Sequence, residues 1–415
     1  MNHTVTDRFL KYVTIDTQAD PTSDSSPSTE KQKNLSNLLV EELKEMGVKC
    51  ETNQFGYVYG YLPSNVNHPT DSIFFCSHVD TAPDCSGKDV KPIINKSYQG
   101  EDLVLPDDRT QVISLKDYPY LRQKIGEDII TASGLTLLGA DDKSGLAIIM
   151  DMVYQLTQNP EIPHGAITIL FTTDEEIGKG VAHVDYDKVA CDYGFTLDGG
   201  PRGEYCEETF SADAATIKIK GVSAHPGYAK GKMESAIKIA SKIIAALPQD
   251  YIAPEVTEGS DGFLHPVKIS GELEEATLEF ILRDFNTERL QDIATLLRST
   301  SQKVLKHYPN SSFTMEIKEQ YRNMKDVVSA HPGIRKIAFQ AMEDAGVSPH
   351  LAMIRGGTDG SVLSANGLPC PNLFTGMQGI HSKHEHVSIQ DMEKAVETIL
   401  NICKIVGKGE LIEKL

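Results

Sequence analysis

Apolar residues along this chain recur at helical spacing in some stretches and run unbroken in others, and the two patterns alternate. Thr6–Val13 predicts a short first helix. A polar Ser/Asp/Pro segment, Gln18–Ser28, follows, and Thr29-x-x-Gln32 then resembles a capping box. Leu35, Leu38, Leu39, Leu43 and Met46 keep helical spacing until Gly47 ends the pattern. The run Ile73–Cys76 predicts a buried strand, as do Ala166–Thr172, Tyr193–Leu197 and Asn372–Thr375. Ala140–Tyr154 reads as a turn into a helix with Leu146, Ile149, Met150 and Val153 on one face. Strands alternating with helices predict an α/β domain.

The stretch from about 208 to 317 has another character. Ala214–Lys220 and Ala276–Asp284 alternate like strands with one polar face, and Ser235–Leu247 and Glu288–His307 carry helical repeats. Two strand–helix units predict a smaller α+β domain, 208–317, inserted into a discontinuous larger one, 1–207 with 318–415. A chain of 415 residues has room for both.

Polar patches close the apolar runs. They are Ser77-His78-Val79-Asp80, Gly139-Ala140-Asp141-Asp142-Lys143, Asp174-Glu175-Glu176, Leu197-Asp198-Gly199-Gly200 and His381-Ser382-Lys383-His384-Glu385. His78, Glu175 with Glu176, and Asp198 lie just past or at the C-terminal ends of strands, where open α/β sheets place their ligands. Taken singly, each patch also fits ordinary structure. His78 can end a strand beside a turn Asp, Asp141 and Asp142 can cap a helix, and Asp174–Glu176 and Asp198–Gly200 can be solvated turns. His381 and His384 can belong to a His-rich loop, since Gly379 argues against a helix there, and His225-Pro226-Gly227 can be a turn. Together, two His and three carboxylates suit two zinc ions. Asp141, Glu176, Asp198 and a bridging hydroxide would balance four positive charges. A further Glu could take the water proton and pass it to the leaving amine.

The totals narrow the alternatives. A net charge of -19 argues against nucleic acid, whose phosphates need Lys and Arg, and it would attract divalent cations. No apolar run approaches the roughly 18 residues of a membrane span. Met1–Thr17 lacks the pattern of a secretory signal, and the 7 Cys form no Cys-x-x-Cys pair. A cytoplasmic protein with reduced thiols is therefore expected. Neither Gly-x-Gly-x-x-Gly nor a P-loop occurs, which speaks against a nucleotide enzyme.

Longer strings carry a family resemblance. They are Ser77–Lys88, Leu137–Lys143, His225–Gly231, Arg283-Asp284-Phe285 and Ile354–Gly360. Through them the chain resembles the co-catalytic di-zinc metallopeptidases that include aminoacylases and desuccinylases, and among these the tripeptide aminopeptidases of the peptidase T group. The resemblance spans nearly the whole chain. It implies a catalytic domain with a mixed β-sheet flanked by helices, and an inserted lid or dimerisation-type domain. It implies a metal-dependent aminopeptidase that removes the N-terminal residue of tripeptides by a zinc-bridged hydroxide. Two Zn²⁺ per subunit are implied, with other divalent metals as substitutes, in a monomer or homodimer acting on short peptides. His78 and Asp198 would hold one ion, Glu176 and His381 the other, and Asp141 would bridge. Asp80 would orient His78, and Glu175 would be the general acid/base. A cis peptide is implied between Asp141 and Asp142. His225 would reach the oxyanion, and Arg283 and Arg355 would hold the distal end of the peptide. The last patch departs from the family's usual His-Gly-Lys-His-Glu by carrying Ser382. Sibling activities on such a site are those of dipeptidases, carboxypeptidases and N-acyl amino-acid amidohydrolases. A metal-binding protein without catalysis would have no use for Glu175.

Overall fold

The computed structural model describes residues 2–409, so residues 1 and 410–415, the two ends of the expected catalytic domain, lie outside the described residues. The chain divides into two units. The larger comprises Met1–Glu207, Met324–Met353 and Thr358–Leu415, and the smaller Glu208–Asn323 and Ile354–Gly357.

The larger unit is built on an eight-stranded mixed sheet. Across it run Lys49–Thr52, Val58–Leu62, Ile167–Thr172, Ile73–His78, Tyr193–Gly199, Asn372–Phe374, Glu204–Thr209 and His350–Ile354. Ile73–His78 is parallel to both its neighbours, Ile167–Thr172 and Tyr193–Gly199, and Tyr193–Gly199 is parallel to Asn372–Phe374. These central strands read as unbroken apolar runs because both faces are covered. Along Ile73–Cys76, Ile73 and Phe75 face one core, with Val5–Val13, Ala140–Gln158 and Ile389–Gly407 contributing to it. Phe74 and Cys76 face a second core with Tyr57, Tyr59, Leu170, Val184 and Leu363. The period of two in a strand produces this division. Each fully buried Phe or Leu stabilises the unit by roughly 1.5–3 kcal/mol. All seven Cys are free, and among the described residues no helix is long and apolar enough to cross a membrane.

The Thr29–Gln32 capping box does not form. The helix runs Gln32–Glu45 after Lys31, which makes no side-chain cap. The Gln32 amide is drawn instead to the buried Asp174, donating to its carboxylate at 2.6 Å and accepting from its N–H at 3.1 Å. A buried charge outcompetes a solvent-side helix end for the same side chain.

The smaller unit is a four-stranded antiparallel sheet in the order Phe263–Gly271, Glu275–Asp284, Ser211–Lys220, Ser312–Tyr321, with helices Ala236–Ala245 and Thr287–Leu305 packed on it. Ala215, Ile217 and Ile219 of one central strand and Leu278, Phe280 and Leu282 of the other meet Ile239, Ile243, Leu290 and Leu297 in its core. Two of these strands carry too little apolar alternation to stand out in the sequence. Val267, Ile269 and Ile317 on them are exposed, and the strand Ser312–Tyr321 crosses residue 317.

Close approach of two strands dictates Gly194. It stands opposite Phe74 in the parallel register, and a Cβ there would lie 2.2 Å from the Phe74 ring. Gly194→Ala is expected to overpack this core and destabilise the protein by roughly 1–3 kcal/mol, visible as a lower urea midpoint. An unchanged midpoint would mean that the ring has room to move aside.

Candidate metal centre

Three adjacent parallel strands deliver their ends to one edge of the sheet. His78 is the last residue of Ile73–His78, and Asp198 is the penultimate residue of Tyr193–Gly199. Asp174-Glu175-Glu176 follows Ile167–Thr172, with Asp174 at a left-handed φ of 64°. Asp141 stands at the start of the helix Ala140–Gln158, after which the peptide to Asp142 is cis. A Cβ on Gly145 would meet the Leu197 carbonyl at 2.1 Å, so only glycine lets this helix lie so close to the Asp198 strand. His381 comes from an irregular loop, at φ 59°.

Two triads result, His78 with Asp141 and Asp198, and Asp141 with Glu176 and His381, each offering ligand atoms within 4.8 Å of one another. Asp141 belongs to both. Its Oδ1 lies 3.1 Å from His78 Nε2, and its Oδ2 lies 3.1 Å from His381 Nε2. Glu176 Oε2 is 2.9 Å from His381 Nε2. His78 Nδ1 is 3.1 Å from the Asp80 carbonyl oxygen and 3.4 Å from its carboxylate, which leaves Nε2 to face the triad. Asp80 does more than orient His78. Its two carboxylate oxygens also accept the N–H groups of Glu175, at 3.1 Å, and Glu176, at 3.0 Å. Glu175 belongs to neither triad, and its Oε2 lies 3.9 Å from His78 Nε2.

The electrostatics fit divalent cations. Burial raises Glu175 and Asp198 well above the usual carboxylate range, and neighbouring carboxylates raise them further. Burial and Asp141 push Glu176 up to about 7. Burial also opposes ionisation of Asp141, yet hydrogen bonds from His381 and His78 hold it below the usual range. His381 is raised to about 11 by Asp141 and Glu176. Glu176 Oε1 is buried without a hydrogen-bond partner, an acceptor in want of a cation. Imidazole nitrogens and carboxylate oxygens in this mixture suit zinc, and also cobalt or manganese.

Four further buried acids support the centre. Asp142 accepts from Ser77 Oγ at 2.5 Å and from the His78 N–H at 3.3 Å. Asp174 accepts from Ser28 N–H at 2.6 Å and Ser28 Oγ at 2.5 Å. Asp359 accepts from Thr172 Oγ1 at 2.5 Å, and burial pushes it up to about 6. Glu385 binds the backbone before and at Asp141. Each stood inside a string singled out in the sequence, but no spacing rule marks an acid that serves backbone amides 244–247 residues away, as Glu385 does.

His225, Arg283 and Arg355 belong to the smaller unit. His225 is exposed, and its Nδ1 accepts from the Gly227 N–H at 3.2 Å. Arg283 donates to the carbonyls of Leu282, at 2.9 Å, and Asp213, at 3.3 Å, and lies over the Tyr321 ring. Arg355 donates to the carbonyls of Gly259, at 2.8 Å, and Asp261, at 2.9 Å, and lies over the Phe210 ring. Asp284, the neighbour of Arg283 in sequence, pairs with Arg289 at 3.4 Å.

Comparison with known proteins places this chain. The family model for the peptidase family M20/M25/M40 matches residues 138–404, a span that holds Asp141, Glu175, Glu176, Asp198 and His381. The chain is 44% identical to peptidase T of Bacillus pumilus over 98% of this chain and 99% of that protein. It is 43% identical to peptidase T of Halothermothrix orenii over 97% and 98%. The crystal structure of aminopeptidase PepT from Bacillus cereus superposes with a TM-score of 0.74 at 23% identity, covering 97% of this chain and 98% of that one. A tripeptidase from Staphylococcus aureus does so with a TM-score of 0.76 at 23% identity and the same coverage. The chain belongs to peptidase family M20/M25/M40, in the group of the peptidase T proteins.

With Glu176 and His381 as ligands, metal uptake at this centre would displace protons. With protons as the only cations, His381 holds its proton up to about pH 11 and Glu176 up to about 7. Divalent ions need both groups deprotonated, so affinity is expected to rise with pH between 6 and 8, about tenfold per unit for each proton released. Calorimetry in buffers of different ionisation enthalpy measures the protons released. A flat affinity with no proton release would show that these two groups are not ligands.

Proposed function

We propose that this member of the peptidase family is a di-zinc tripeptide aminopeptidase. The observation that carries the proposal is Asp141, whose two carboxylate oxygens each face a different histidine at 3.1 Å, a placement that would suit a ligand shared by two ions. His78 and Asp198 would complete one ion's protein ligands, and Glu176 and His381 the other's. Peptide hydrolysis as the activity, and tripeptides as the substrate, rest on the 44% identity to peptidase T. Divalent ions held there supply Lewis acidity, acidifying water to a pKa of about 7 and polarising a carbonyl.

The chain's own residues supply the proton traffic. Glu175 Oε2 points to the edge of the triads and is not needed as a ligand. Burial raises its proton affinity, which suits a group that accepts a proton from water and returns it to the leaving amine. Asp80 sets the position of this Glu through its N–H and of His78 through Nδ1. His225 would act on the scissile carbonyl from the smaller unit. Arg283 and Arg355 would receive the distal carboxylate, for which the guanidinium fork is suited.

The deciding experiment assays the purified protein, before and after chelation, on di-, tri- and tetrapeptides and their N-acylated forms. Cleavage of free tripeptides that is abolished by the chelator and restored by Zn²⁺ is expected. Preference for N-acyl amino acids would overturn the aminopeptidase reading. Glu175→Gln is expected to keep the metals and lower kcat by ~10²–10⁴-fold, because the amide cannot accept the proton. Wild-type turnover would remove Glu175 from the mechanism.

Length selection has its own test. Replacing Arg283 or Arg355 by Ala is expected to raise KM for free tripeptides far more than for tripeptide amides. Equal cleavage of amides and free acids by the wild type would rule out carboxylate selection.

A further inference from the structure

We infer that Glu385 is a positioning residue for the metal centre, fixing the shared ligand Asp141 and tying it to the loop that carries His381. Glu385 is 1% exposed. Its Oε2 accepts the N–H groups of Leu138, at 2.7 Å, and Gly139, at 2.6 Å, and its Oε1 accepts that of Asp141 itself, at 2.9 Å. Its own N–H donates to the Ser382 carbonyl at 3.3 Å. One side chain therefore grips the backbone that presents Asp141, while its main chain is part of the turn that follows His381.

The choice of residue is informative. A carboxylate is the side chain that offers acceptors on both terminal atoms, and all three donors here need one. Gln would turn an NH₂ group against an N–H on one side. Burying a further negative charge beside Asp141 is costly, as the rise of Glu385 to about 7 through burial records. A structure that only needed to fill this space would place an apolar side chain there. The cost is met because the N–H groups are held where Asp141 must be aimed.

This inference rests on the metal reading of the Asp141 site, and the test separates the two. Full-length protein freed of metal by a chelator is titrated with Zn²⁺ by calorimetry, as wild type, Glu385→Gln and Glu385→Asp. Circular dichroism and Tm are recorded alongside. Expected are folded variants whose Zn²⁺ affinity is ~10–100-fold weaker, the scale of losses outside the ligand set. Glu385→Asp, which keeps the charge but shortens the reach, is expected to move in the same direction, and it carries the test if the Gln variant does not fold. Variants that fold only in the presence of Zn²⁺ also support positioning. A lowered Tm with wild-type affinity, or variants that fold neither with nor without Zn²⁺, overturns it in favour of a purely architectural role. If wild type itself takes up no Zn²⁺, the metal reading fails.

Discussion

Asp141 faces an imidazole with each carboxylate oxygen, while Glu176 and Asp198 close the two triads and Glu175 stands 3.9 Å from His78. Four largely buried carboxylates against two imidazoles, one of which is exposed, cannot all ionise without help. Two like charges about 4 Å apart repel by about 4 kcal/mol at an effective dielectric of about 20, well above the ~0.2–1 kcal/mol that a surface ion pair returns. The raised proton affinities of Glu175, Glu176 and Asp198 express that repulsion together with burial. Divalent cations relieve it where protons only partly can, and much of the surrounding structure serves to hold the acids together.

That holding is done by main-chain amides. Asp80 collects the N–H groups of Glu175 and Glu176, Asp142 that of His78, and Glu385 those that lead into Asp141. Asp174 does the same for Ser28, and its own N–H is held by Gln32. The turns that carry the triad residues His78, Asp141 and Glu176 are thus secured by acids outside both triads. Charge-assisted bonds of this kind are about twice as strong as neutral ones. They also exchange the flexibility of a turn for a fixed direction. Burial raises the proton affinity of Asp142 and Glu385 as well, so the arrangement adds to the excess of acids at the site.

The sequence made the parallel core legible because both faces of its strands are covered, so Ile73–Cys76 and Ala166–Thr172 read as unbroken apolar runs. Among the residues of the two triads, His78, Glu176 and Asp198 were legible because they sit where those runs stop. Of the strands with one open face, Ala214–Lys220 and Ala276–Asp284 kept enough alternation to be read, whereas Phe263–Gly271 and Ser312–Tyr321 went unseen because apolar residues on them, such as Val267, Ile269 and Ile317, are exposed and mark no buried face. The capping box failed for a related reason. Gln32 has a local partner in sequence but a stronger one in space, Asp174, 142 residues away. Ser382, a departure from the family's glycine, finds two partners within its own loop. It donates to the Gly379 carbonyl at 2.6 Å and accepts from the His384 N–H at 3.1 Å. The substitution thus reinforces the turn beside His381, an outcome that a comparison of residue types alone does not contain.

A metal centre of this kind recognises an amide bond and nothing of the peptide's length. In the proposed reading, selection for length comes from groups that answer the charged ends of the substrate, with Arg283 and Arg355 as the candidates. The N–H groups of Arg283 and Arg355 are met by carbonyl oxygens, and their faces by aromatic rings, rather than by carboxylates. Neutral acceptors satisfy the hydrogen-bonding demand of a guanidinium and fix its orientation, but they do not cancel its charge. A carboxylate partner would have done both and left nothing for a ligand. In the proposed reading, these two residues are therefore held in place without a salt bridge among the described residues, although Asp213 attracts Arg283, and an arginine so held can select an anion.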